Sequence, residues 1–204
     1  MLESTQLAAQ RGAATLFSGV DFKLSPGDAL LVTGANGSGK TTLLRIAAGL
    51  SHAARGTLRW RGIAVAPLDP ELRAAVTYIG HAAALKDELT AEENLASLAS
   101  LHAADACSES VRSALASWSL ERQRALPARA LSMGQRRRIG LARLALVPRP
   151  LWILDEPAAA LDTAGVTLLC DMLGAHLARG GMAIIATHQD IALSGPTVRS
   201  LSLS

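Results

Sequence analysis

The eight residues Gly34-Ala35-Asn36-Gly37-Ser38-Gly39-Lys40-Thr41 restrict the fold more than any other part of this sequence. They match G-x-x-x-x-G-K-[S/T] and follow the apolar run Ala29 to Thr33, so the pattern falls where a buried strand ends and a helix begins. A phosphate-binding loop requires that context. Glycine lets the backbone wrap closely around a phosphate, successive N–H groups form an anion nest, and the helix dipole adds positive potential. In this reading Lys40 reaches the β and γ phosphates of a nucleotide and the Thr41 hydroxyl binds Mg²⁺. Gly34, Asn36, Gly37, Ser38, Gly39 and Thr42 complete the nucleotide-binding set.

The flanking sequence alternates strand and helix signals. Phe17 to Leu24 reads as a strand, joined to Ala29–Thr33 by the turn Ser25-Pro26-Gly27-Asp28. A helix is predicted from Gly39 to about Gly49, with short strands at Thr57 to Trp60, between Gly56 and Gly62, and at Val76 to Ile79. From Leu85 to about Val147 the signals are helical. Thr90 with Glu93, and Ser132 with Gln135, both fit the capping box, and Pro127 separates two helices. Strand signals return at Leu151 to Leu154 and Met182 to Ala186, around a helix from about Thr163 to Arg179, and Val198 to Ser204 alternates as an edge strand. The predicted architecture is a single domain, 1–204: an α/β core with a helical subdomain inserted at about 86–146.

Composition narrows the function classes. At 204 residues a core can form without disulfide or metal staples. Cys107 and Cys170 lie far apart in no metal-ligand spacing, which fits a reducing compartment. The net charge of +3, with 17 of the 20 basic residues arginine, is too small an excess to argue for nucleic acid. The amino terminus lacks a basic region followed by an apolar one, so the chain is expected to stay in the cytoplasm. Mean hydropathy is +0.26. Yet the longest stretch free of formal charge, Ala74 to Leu85, is too short for a span, which needs about 20 residues. Work at a membrane would require docking onto a separate spanning protein.

Four further groups carry chemistry. Leu151-Trp152-Ile153-Leu154-Asp155-Glu156 is an apolar strand ending in two carboxylates, a costly pair that a magnesium ion relieves. Asp155 is the natural Mg²⁺ partner of the phosphate loop, and Glu156 can polarise the water that attacks the γ phosphate. Ser132, Gly134 and Gln135 form a second phosphate-friendly helix start in a chain with one phosphate loop, so this site can serve the nucleotide of another copy. Arg136 to Arg138, just beyond, read as a solvated face. His188 follows the last buried strand and can hydrogen-bond a γ phosphate or the lytic water. Asp162, in Ala160-Leu161-Asp162, can either cap the next helix or sense a partner subunit.

Taken in order, the phosphate loop, L-S-x-G-Q, the strand with Asp-Glu, A-L-D and T-H resemble the ATP-binding subunit of an ABC transporter along essentially the whole chain. The resemblance implies a P-loop NTPase core of the ABC ATPase type, with an inserted helical subdomain and a small antiparallel β subdomain. It implies ATP and Mg²⁺ as ligands, with Glu156 as general base and His188 and Lys40 at the γ phosphate. It also implies a head-to-tail homodimer in which Ser132, Gly134 and Gln135 of one copy close over the nucleotide of the other, and no nucleic-acid partner. Leu16-Phe17-Ser18-Gly19, Tyr78-Ile79-Gly80-His81, Leu85-Lys86, Leu89-Thr90, Glu93-Asn94-Leu95, Gln135-Arg136-Arg137-Arg138, the Asp155-Glu156-Pro157 strand end and Ala186-Thr187-His188-Gln189 resemble, more narrowly, the cytochrome c maturation ATP-binding family, often called the haem exporter. That narrower likeness implies an ATPase coupled to haem export or to release of a haem-loaded chaperone. Its partners would be an integral membrane permease and haem-handling membrane proteins, and its place the cytoplasmic face of the bacterial inner membrane.

Two departures from the ABC pattern stand out. The aromatic that stacks on adenine near the amino terminus is missing, with Arg11 at about that place, so adenine is held loosely or by a guanidinium stack. The glutamine that links Mg²⁺ to the membrane subunit is replaced by His81, whose imidazole would make that contact sensitive to pH. A non-hydrolysing nucleotide switch is the reading from a different class, and Glu156 with His188 argues against it. An ATPase of another small ABC transporter, with a different cargo, is the near alternative.

Overall fold

The computed structural model of the chain describes residues 1–101, 107–188, 193 and 197–203. Gln189 and Ser204, which belong to two of the sequence readings, lie outside that set. In chain order the first elements are β1 (Leu2–Arg11), β2 (Ala14–Leu24), β3 (Asp28–Gly34), α1 (Lys40–Ala47), β4 (Arg55–Trp60) and β5 (Ile63–Ala64). Next come α2 (Pro70–Ala75), β6 (Val76–Ile79), α3 (Ala91–Ser100), α4 (Ser108–Ala116) and α5 (Met133–Leu146). The last are β7 (Leu151–Asp155), α6 (Thr163–Ala178), β8 (Met182–Ala186) and β9 (Thr197–Leu203). The chain forms two compact units. One comprises Met1–Gly80, Arg149–Glu156 and Cys170–Ser204; the other comprises His81–Pro148 and Pro157–Leu169.

The first unit holds two sheets. Five parallel strands run in the order β6-β7-β8-β3-β9, and four antiparallel strands in the order β2-β1-β4-β5. Every residue of β7 and β8 is buried, as expected of central parallel strands covered on both faces, whereas β9 is largely exposed at the sheet edge. Leu2, Leu24, Leu43, Leu44, Ile153 and Ile184 are wholly buried in a core that takes side chains from both sheets and from α1. Truncating one such aliphatic to alanine costs about 2–5 kcal/mol. Register decides function here: Val32 and Asp155 both pair with Ala186, so β3, β7 and β8 finish together at one edge. Ligands of open α/β sheets bind at such carboxyl ends.

β1 has no strand signal in the sequence. It forms because it is paired on both sides, by β2 and by β4. A bulge at Gln6, with φ 51, interrupts its register, and the Asp21 carboxylate holds it by accepting from Gln6 N at 2.5 Å and Nε2 at 2.7 Å. The adjacent Gly56, at φ 89, is required there: a Cβ would stand 2.4 Å from the Gln6 carbonyl oxygen.

The second unit is helical, with Leu95, Leu115, Trp118, Ile139 and Leu141 wholly or almost wholly buried. Thr90 and Ser132 each form a complete capping box. Buried Asn94 organises the chain before α3: its Oδ1 accepts from Lys86 N at 2.8 Å, and its Nδ2 faces the carbonyls of Lys86, Leu89 and Thr90, each at 3.0 Å. Among the described residues no helix is long and apolar enough to cross a membrane.

Candidate nucleotide site

The loop between β3 and α1 is shaped by its glycines. Gly34 has φ 144, and a Cβ there would meet the Leu203 carbonyl oxygen at 2.4 Å and Ser38 Oγ at 2.7 Å. Gly39, at φ 95, is the N-cap of α1 and offers no side-chain cap, so the first-turn N–H groups face outward for an anion. Lys40 is buried, and its Nζ donates to the carbonyls of Gly34 at 2.9 Å and Ala35 at 3.0 Å. This folds the ammonium over the loop. Ser38 Oγ is buried with no hydrogen-bond partner among the described residues, as a hydroxyl awaiting a phosphate oxygen would be.

Opposite the loop, Thr41 Oγ1 donates to Asp155 Oδ2 at 2.8 Å across 114 residues of sequence. A hydroxyl and a carboxylate are the hard oxygen donors that Mg²⁺ prefers, so the pair fits that ion. Burial, and then the charge of Asp155, pushes the Tyr78 phenol above its usual pKa, so it stays neutral beside the carboxylate. Sequence reasoning gave Tyr78 no role.

Glu156 follows Asp155 at φ 50, a left-handed conformation rare outside glycine and typical of positions constrained by function. Its N–H donates to the Ala186 carbonyl at 2.9 Å, anchoring the strained residue to the end of β8. Its carboxylate accepts from His188 N at 3.3 Å through Oε2, and His188 Nε2 lies 3.4 Å from Oε1. Glu156 and His188, 32 residues apart, therefore stand together at the edge that carries the phosphate loop.

The other predicted residues lie in the second unit. Ser132 Oγ accepts from Gln135 N at 3.2 Å, and Gln135 Oε1 accepts from Ser132 N at 2.9 Å. Gly134 admits no side chain, because a Cβ would stand 2.6 Å from the Ala160 carbonyl oxygen. Asp162 caps α6 by accepting from Gly165 N at 2.9 Å, and it also accepts from Arg138 Nη2 at 2.5 Å. Those partners, Gly165 first, hold its carboxyl below the usual pKa. Gly134, Gln135, Arg138 and Asp162 line a cleft of about 210 Å³. His81 is exposed and contributes to a separate groove of about 520 Å³ with Leu85, Met133 and Arg136.

The expected solvated arginine face is not found. Arg137 is 4% exposed, and its guanidinium donates to the carbonyls of Pro157 and His81, both at 3.2 Å. Arg138 donates to the Trp118 carbonyl as well as to Asp162, and Arg136 pairs with Asp87 at 2.7 Å. Carbonyls and carboxylates from other segments converge on this helix, and they stabilise guanidinium groups away from water.

A family model described as ABC transporter matches residues 17–159. The cytochrome c biogenesis ATP-binding export protein CcmA 2 of Cupriavidus metallidurans is 45% identical, covering 96% of this chain and 92% of its own. The cytochrome c biogenesis ATP-binding export protein CcmA of Nitrosospira multiformis is 44% identical, covering 100% and 98%. Among solved structures, a dimeric bacterial ABC transporter cassette superposes with a TM-score of 0.82 at 25% identity, covering 99% of this chain and 94% of its own.

Proposed function

The chain belongs to the ABC transporter family and, within it, to the cytochrome c biogenesis ATP-binding export proteins, and on that premise we propose that it is the ATP-hydrolysing subunit of a membrane complex for c-type cytochrome maturation. The observation that carries the reading is the convergence at one sheet edge of the phosphate loop, the Thr41–Asp155 contact and the Glu156–His188 pair. Lys40 and the N–H groups opening α1 bind the β and γ phosphates. Thr41 and Asp155 hold Mg²⁺, which supplies charge neutralisation for the leaving phosphates. Glu156 accepts a proton from the attacking water, and His188 contacts the γ phosphate and orients the Glu156 carboxylate.

Two copies pair head to tail, so that Ser132, Gly134 and Gln135 of one face the nucleotide of the other. The capped helix start, with no phosphate loop of its own, and the dimeric relative support this arrangement. The groove at His81 receives a membrane permease on the cytoplasmic face of the inner membrane, and His81 takes part in that coupling. ATP hydrolysis by the membrane complex that was unchanged in His81→Ala would count against that role.

The test is to affinity-purify the subunit from gently solubilised native membranes and identify what accompanies it. The expected result is a permease together with haem-handling proteins, and ATP-dependent release of a haem-loaded chaperone that Glu156→Gln abolishes. That substitution should lower the hydrolysis rate by about 10²–10⁴-fold. A different permease, with no haem protein, would leave the ATPase and remove the cargo assignment.

A further inference from the structure

Residues 29–68 contain no aspartate or glutamate, and Arg55, Arg59 and Arg61 stand exposed on β4 and in the turn that follows it. Among the described residues none of these three arginines pairs with a carboxylate. The flanking acids are engaged elsewhere. Glu3 faces Arg59 across the β1–β4 ladder, but it pairs with Lys23 at 2.8 Å. Asp28 accepts from Ser25 N at 2.9 Å, and Asp69 caps α2 by accepting from Leu72 N at 3.0 Å.

The same segment leaves large apolar side chains in water: Ile63 is 66% exposed, Leu68 60% and Leu50 41%. Arg61, at φ 52, and Gly62, at φ 85, form the two-residue turn between Trp60 and Ile63, which sets Ile63 on the edge strand β5. Leu68 is tied to the loop of Leu50, its N–H donating to the Gly49 carbonyl at 2.8 Å, in a left-handed conformation, φ 64, that leucine rarely adopts. Packing within the chain explains none of these three side chains. The cleft between the two loops, about 190 Å³ and lined by His52, Val65 and Pro67, is below the roughly 300 Å³ at which small-molecule sites begin.

Exposed aliphatic tips set among arginines, with no carboxylate in the segment, match the surface of an anionic bilayer. Guanidinium groups take the lipid phosphates while the aliphatic tips enter the acyl boundary. A single-stranded nucleic acid would call for a free aromatic plane, and Trp60, the aromatic of this segment, is 2% exposed with Arg61 over its ring at 5.4 Å.

We propose that the β4–β5 hairpin and the loops at Leu50 and Leu68 form a contact surface for anionic phospholipid, so that the subunit touches the cytoplasmic leaflet directly as well as through its permease. The proposal rests on the membrane location read above and requires no nucleotide.

The experiment is co-sedimentation of the full chain, without nucleotide, with vesicles of equal parts phosphatidylglycerol and phosphatidylethanolamine and with vesicles of phosphatidylcholine alone. Each arginine near an anionic surface contributes about five-fold in affinity, so the anionic vesicles should bind about a hundred-fold more tightly. Salt at about 1 M, where the Debye length is about 3 Å, should remove most of that difference. Arg59→Gln combined with Arg61→Gln should weaken anionic binding by about 25-fold. Arg59→Lys combined with Arg61→Lys should retain it, because the charge is kept. Ile63→Ser should lower the salt-resistant remainder by about ten-fold. Mg-ATP binding should be unchanged in every variant, which checks that each one folds. Affinities for the two vesicles within about three-fold of each other, or a double glutamine variant that sediments like the unaltered protein, overturns the proposal. Vesicles that fail to bind, together with loss of the co-purifying permease in the double glutamine variant, would make this a protein-docking surface and overturn the lipid assignment. A chain that binds vesicles and hydrolyses no ATP overturns the hydrolysis reading alone.

Discussion

His176 on α6 provides a sensitive test of how the first unit is held together. Its ring stacks on Trp152 of β7, with centroids 3.7 Å apart and planes within 6°. Its Nε2 lies 3.1 Å from the Met182 carbonyl, and since a carbonyl only accepts, that nitrogen carries the proton. Burial is the main influence on the imidazole and lowers its pKa below the usual 6.5; Arg179 lowers it further, while the Met182 and Pro150 carbonyls pull it upward. The unfolded chain thus takes up a proton at about 6.5 and the folded chain only at lower pH. The stability tied to the neutral ring is complete above about pH 6.5 and is lost as the pH falls from there through the folded-state value.

His176→Phe keeps a ring over Trp152 and removes both the hydrogen bond and the proton uptake. At pH 8 the variant should be less stable by about 1 kcal/mol, the net worth of a buried hydrogen bond. At pH 5 the deficit should shrink or reverse, because only the unaltered protein loses the imidazole contribution. Urea unfolding of the full chain at both pH values reads this out, and subtracting the two proteins cancels the carboxylates that titrate in both. A difference that is the same at pH 8 and pH 5 would refute the reasoning.

Gly134→Ala should cost about 1–3 kcal/mol, since its Cβ would press on the Ala160 carbonyl oxygen at 2.6 Å. Thermal unfolding measures that cost, and hydrolysis should fall while nucleotide binding at the phosphate loop of the first unit persists. Thr41→Val, nearly isosteric, removes the hydroxyl that contacts Asp155 and should raise the Mg²⁺ concentration for half-maximal hydrolysis by about ten-fold, measured by metal titration. Arg137→Met leaves the carbonyls of His81 and Pro157 without that donor and should destabilise the chain by about 1.5–3 kcal/mol in urea unfolding. Arg137→Lys should not rescue it, because an ammonium lacks the planar fork that spans two carbonyls.

What can be seen in this sequence without its structure is whatever depends on neighbours along the chain. The phosphate loop declares itself because its glycines, Lys40 and Thr41 act within eight residues. β7 and β8 are visible as unbroken apolar runs, and the capping boxes at Thr90 and Ser132 as residues three apart. The tertiary structure alone decided what depends on distant partners. β1 is a strand because β2 and β4 flank it, with Asp21 closing the bulge at Gln6. Arg137 is buried because the carbonyls of His81 and Pro157 arrive beside it, although three successive arginines on a helix look solvated when read locally. Glu156 takes a left-handed conformation and meets His188 because the register of β7 on β8 ends both strands at one edge. The cost of burying a charge or straining a backbone is local, but the groups that compensate it are brought in from elsewhere by the fold, and no window of sequence contains both.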